Sequence, residues 1–127
     1  PGGITVTVAR HGPDRFLADL AAAGVPGHRE GPAIVYTVVP ATGSLAGTQI
    51  DTAVSLSELQ SWPTVVPHWL HFREAISFPH TNTDTNDCLA GWLRHSRDVG
   101  QWDTSAPPAR TWLAHVRGVL SVATKQE

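Results

Sequence analysis

FPHTNTDTNDCLAGWLRHSRD, residues 78–98, holds the only cysteine of the chain, two of its seven histidines and a dense run of Thr, Asn and Asp. Neither a strand nor a helix period runs through it, and nothing regular can be read from Pro79 to about Asp103. A structureless stretch of that length inside a small domain points to a functional loop. The elements on either side therefore decide the fold.

Upstream, AIVYTVVP (33–40) is a β-branched strand, and in TQIDTAVSL Ile50, Thr52, Val54 and Leu56 alternate as in a half-buried strand. Two prolines in SELQSWPTVVP break that strand; HWLHF (68–72) makes a third and AISF a short fourth. VPGHREGP reads as turn material. Before the strands, GPDRFLADLAAAG places Pro13 at a first helical position, Asp14 at the positive end of the helix dipole and Gly24 as a C-cap. Phe16, Leu17, Leu20 and Ala21 share one face. Downstream, Thr104 or Ser105 offers an N-cap, and Trp112, Val116, Val119, Leu120 and Ala123 recur at helical spacing. The expectation is an α+β domain: an N-terminal helix, an antiparallel four-stranded meander, a long polar loop and a C-terminal helix.

At 127 residues the chain is one domain, 1–127, able to bury a core without disulfide staples. Its 41% apolar and 16% charged residues exclude a disordered chain, and a formal charge of −2 gives no basic excess for nucleic acid. There is no apolar run long enough to span a bilayer. Residues 1–12 carry an alternating Ile4, Val6, Val8, as an extra strand does, and otherwise read as a tag scar or the edge of a larger parent protein. With no export signal and a lone cysteine, the expected compartment is the cytoplasm and Cys88 a free thiol.

Several chemistries lack their spacing. His68 and His71 would point to opposite faces of a strand, and His80, Cys88 and His95 have no zinc-type spacing, so no metal is expected and the histidines read as surface or capping groups. Ser96 lacks the small-residue elbow of a serine nucleophile, and no phosphate-binding glycine loop is present. Cys88 in NDCLAG is different. Its flanks favour an accessible loop, while Asp84 and Asp87 would raise its pKa. Such a thiol suits acceptance of an already activated acyl group, which needs little thiolate activation.

The landmarks resemble the ubiquitin-conjugating enzyme (UBC) superfamily. WPTVVPHWLHF is similar to the aromatic-Pro-x-x-x-Pro stretch before the third strand, FPHTN to the His-Pro-Asn signature with Thr81 replacing proline, and Cys88-Leu89 to the catalytic Cys-Leu. Trp102 and the helix after it resemble the close of that domain. Prokaryotic members, found beside adenylating enzymes, ubiquitin-like proteins and metalloprotease-type deconjugases, carry a W-x-x-F strand, a W-x-x-H/W-S-R block and a following Trp. WLHF, GWLRHSRD and Trp102 look like that pattern. Asn82 and Cys88 are closer together than in the eukaryotic enzymes, and the WLRHSRD block is inserted before Trp102.

The resemblance implies a UBC-like fold, a thioester on Cys88 and no cofactor. Its implied partners are a ubiquitin-like protein, an adenylating activating enzyme and a deconjugase of the same pathway. Asn82 would donate to the oxyanion, His80 would hold the loop in shape, and Asp84 or Asp87 would orient or deprotonate the attacking amine. His95 and Arg97 would pin the loop or meet the modifier's tail, and Trp92 and Trp102 would anchor it. A non-catalytic adaptor of the same fold, binding the ubiquitin-like protein or the activating enzyme, is the alternative.

Overall fold

The computed structural model describes residues 10–78, 83–97, 99–100, 102 and 105–125. In chain order the elements are α1 (Pro13–Ala22), β1 (His28–Glu30), β2 (Ala33–Val38), β3 (Ile50–Ser55) and a 3-10 turn (Leu56–Leu59). There follow β4 (Trp69–Arg73), β5 (Ile76–Ser77), β6 (Thr83–Asp84), β7 (Trp92–Ser96), α2 (Pro108–Leu120) and β8 (Thr124–Lys125). The main sheet is antiparallel and six-stranded, in the order β1-β2-β3-β4-β7-β6. The α+β class and the two flanking helices match the sequence reading.

The meander needs correction. AISF does not join the main sheet; β5 leaves it and pairs with β8. Two strands lie where no regular element was expected: β7, inside WLRHSRD, pairs with β4 over all five residues, and β6 pairs with β7. VPGHREGP is also more than a turn, since His28–Glu30 form the edge strand β1. Neither Thr104 nor Ser105 caps α2: its N-cap is Pro107, without a side-chain bond, and Thr104 lies outside the described residues.

Both helices lie on one face of the sheet. Phe16 and Leu20 of α1 and Trp112, Val116 and Leu120 of α2 bury themselves against Ile34, Tyr36, Val54, Leu70 and Phe72. Strand alternation places those sheet residues on the same side. Trp62, from the proline-rich turn, fills the space between the helices with edge-on contacts to Phe16 and Trp112. Its indole N–H donates to Asp19, and that of Trp112 to the Tyr36 hydroxyl, so both buried rings have their polar atom satisfied. Gly43 allows the loop after β2 to approach the end of α2: a Cβ there would lie 2.1 Å from the Ser121 carbonyl oxygen.

The opposite face is also covered. Ala33, Val35, Ala53 and Trp92 form a second apolar cluster, against which Cys88 and Leu89 pack. Small side chains on β2 and β3 leave room for chain to lie over them. The segment 85–90 does so and reaches the β1–β2 turn, where a Cβ on Gly31 would lie 3.3 Å from the Leu89 side chain. That strap brings the cysteine onto the sheet.

Candidate functional site

The register of the second face sets one row across four strands: Ala53 beside His71, His71 beside Arg94, Arg94 beside Asp84. Arg94 grips Asp84 with two bonds, Nε to Oδ1 at 2.5 Å and Nη2 to Oδ2 at 3.2 Å. Its guanidinium also lies 4.0 Å from the centre of the Trp69 ring. Asp84 accepts the Asn86 N–H as well, at 2.9 Å, which starts the strap with an Asx turn. The Arg94 bonds hold the Asp84 carboxyl below the usual carboxylate range. That carboxylate is fully engaged in holding the strap. Asp87 is exposed, with a positive φ of 56° and its Oδ2 3.5 Å from Ser57 Oγ.

Cys88 follows at once. Its sulfur lies 4.0 Å from the Asp84 carbonyl oxygen, and the side chain is half-buried. Burial pushes the thiol pKa up; Arg94 opposes the rise, while Asp84 and Asp87 add to it. Cys88 is thus held as a neutral thiol.

His71 corrects the expectation of surface histidines. It is only 1% exposed, and neither ring nitrogen has a hydrogen-bond partner among the described residues. His68 lies outside β4, so the expectation that the two alternate along one strand does not apply. Burial first, and Arg94 second, lower its pKa to about 4. His68 is exposed and bonds Ser96 Oγ. His95 is buried between Phe72 and Phe78, with its pKa lowered to about 4 by burial and then by Arg97.

The other predicted residues separate. His95 belongs to strand β7 and so is not in a loop, whereas Arg97 lies just past the end of that strand. Arg97 gives its backbone N–H to the His68 carbonyl and sets its guanidinium 5.8 Å from the Phe78 ring centre. Trp92 lies under the strap, with the Arg73 guanidinium over its ring; Trp102 packs edge-on against Trp62 on the helix side. His80 and Asn82 lie outside the described residues. The structure therefore brings together Cys88, Asp84, Asp87 and Trp92, and adds two groups the sequence reading did not single out, His71 and Arg94.

Among the described residues no cluster of three His, Cys, Asp or Glu could hold a metal ion, and no helix is long and apolar enough to cross a membrane. A cleft of about 460 Å³ between the end of α1 and the start of α2 includes none of the Cys88 cluster. Compared with protein-family models, curated proteins and solved structures, the chain finds no match.

The strap can be tested without a substrate. Asp84→Ala removes its pin and one of the anions that raise the thiol pKa, so alkylation of Cys88 by iodoacetamide at pH 8 should speed up roughly fivefold or more, through local opening. A rate equal to or below wild type would show that Asp84 does not hold the strap.

Proposed function

We propose that this domain is a ubiquitin-conjugating-enzyme-like component of a bacterial ubiquitin-like modification pathway. It carries the modifier as a thioester on Cys88 and passes it to an amine. The observation that supports this best is the position of the thiol. The lone cysteine sits on a strap between β6 and β7, packed on the sheet face opposite the helices. The chain runs from an N-terminal helix through antiparallel strands to a C-terminal helix, as in the family that its motifs resemble. The electrostatics fit the same reading. A thiol whose pKa is raised is poorly suited to attacking an unactivated amide, but thioester exchange brings its driving force with the substrate.

In this reading the adenylating enzyme hands the modifier's C-terminal carbonyl to the Cys88 sulfur. Asp87, exposed beside the thiol, is the carboxylate free to orient an incoming ammonium, because Asp84 is engaged by Arg94. Asn82 keeps its proposed place as an oxyanion donor. The adaptor reading has one observation in its favour: the thiol is half-buried against Trp92 and its neighbours and held neutral.

Thioester capture separates the two. The domain is mixed with the activating enzyme and ubiquitin-like protein encoded beside it, plus ATP, and run on a non-reducing gel. A reductant-sensitive adduct absent from Cys88→Ala is the expected result. Stable binding without an adduct, with the activating enzyme visibly charged, would favour the adaptor.

A further inference from the structure

We infer that His71 is a further catalytic residue of this site, one that donates a ring N–H to the thioester oxygen as it becomes negative. The inference rests on the thioester reading above. It starts from an imidazole at 1% exposure with neither nitrogen bonded among the described residues, although buried polar side chains are almost always satisfied. A group left in that condition is a donor and an acceptor waiting for a third party.

Its position names that party. In the row across the second face, His71 stands between Ala53 and Arg94, and Arg94 stands next to Asp84. Cys88 packs against the cluster that contains Ala53, while its sulfur lies 4.0 Å from the Asp84 carbonyl. The thiol therefore lies over the same face as the ring, against the cluster that holds one of its row neighbours and beside the Asp84 that closes the row. An acyl group on that sulfur enters between strap and sheet, with its carbonyl toward the row.

The charge state suits the task. Arg94 and burial both keep the ring neutral, and a neutral imidazole always has one N–H to give. A neutral donor stabilises an oxyanion without first forming an ion pair with the resting thiol. The amine nitrogen bonds to the carbonyl carbon, and the C=O electron pair moves to the oxygen, where the His71 N–H meets it. On collapse the C–S bond breaks, and the sulfur leaves with its electron pair and takes up the proton that the amine sheds.

The test needs no cognate partner. Cys88 is loaded to completion with a glycylglycine thioester of mercaptoethanesulfonate, excess reagent is removed, and discharge to free lysine at pH 7.5 is followed by intact mass. His71→Leu should discharge roughly a hundredfold more slowly, as loss of one oxyanion donor does elsewhere. His71→Gln and His71→Asn, which offer an amide N–H, should recover part of the rate. The melting temperature of His71→Leu should not fall, because leucine removes a buried polar group that has no partner. Discharge of His71→Leu within twofold of wild type would overturn the inference and leave the thioester reading standing. Equal slowness of all three variants would also overturn it. Failure of wild-type Cys88 to accept the acyl group at all would sink the thioester reading, and His71 with it.

Discussion

Mild acid should destabilise this domain before its carboxylates are titrated. In the unfolded chain an imidazole takes its proton near pH 6.5, whereas in the folded sheet His71 and His95 do so only at about pH 4. Between those values the unfolded state binds more protons, so stability is complete above pH 6.5 and falls as the pH drops toward 4. Each displacement corresponds to about 3 kcal/mol at its limit, and the pair to about 6 kcal/mol, a large part of a total stability of about 5–15 kcal/mol. Glu58 works in the opposite direction, because burial raises its carboxyl pKa and its protonation favours the folded state. Asp84, held low by Arg94, adds its own loss later, starting as the pH falls through the ordinary carboxylate range and ending below it. Urea unfolding at pH 7.5, 6.0 and 5.0 should therefore show a falling midpoint. The double variant His71→Leu, His95→Leu should flatten that dependence. A wild-type midpoint that holds steady from pH 7.5 to 5.0 would mean that one or both rings are protonated without cost.

Trp62→Ala should be the most damaging single truncation on the helix side. The ring is fully buried and lies edge-on to Phe16 at 4.8 Å, Trp102 at 5.7 Å and Trp112 at 6.0 Å. It thereby ties together α1, α2 and the chain that returns from β7. Removing it should cost about 3–5 kcal/mol, through lost burial and the cavity left between two helices that cannot collapse together. Trp62→Phe keeps most of the packing and loses the indole bond to Asp19, for about 1–2 kcal/mol. The check is the urea midpoint at pH 7.5. A shift of less than about 1 kcal/mol for Trp62→Ala would mean that the helices repack, against the low compressibility of such cores.

The helices were legible in the sequence because each buries one stripe and leaves the other wet. Phe16 and Leu20, then Trp112, Val116 and Leu120, recur at helical spacing, and all are buried. β2, β3 and β4 were legible for a similar reason, from β-branched and alternating residues. β7 was not, because neither of its faces is plainly apolar. Arg94 lies on the Trp69 ring on one side, and His95 fits between two phenylalanines on the other. Long cationic stems and a buried imidazole do the covering that aliphatic side chains do elsewhere, so alternation has nothing to register. AISF was misplaced because a short apolar run does not say which sheet it joins. It pairs with Thr124–Lys125, across a separation no local pattern reports.

The candidate site was legible in part. The setting of Cys88 was enough to foresee a thiol whose pKa is raised by Asp84 and Asp87, although burial is the larger cause. His71 could not be separated from His68 by composition. The difference between them is position: His71 lies within β4, in the row between Ala53 and Arg94, and is buried, whereas His68 precedes the strand and is exposed. Asp84 looked like a second free carboxylate until the register placed Arg94 opposite it.

The proposal that Cys88 carries an acyl group is tested most directly by changing the chemistry of the bond. Cys88→Ser should convert a labile thioester into an oxyester. With the activating enzyme, the ubiquitin-like protein and ATP, wild type should give an adduct that reductant removes. Cys88→Ser should give a slower-forming adduct that survives reductant, and intact mass with peptide mapping should place it on residue 88. An adduct on a lysine, or none on either protein while the activating enzyme is charged, would contradict the account.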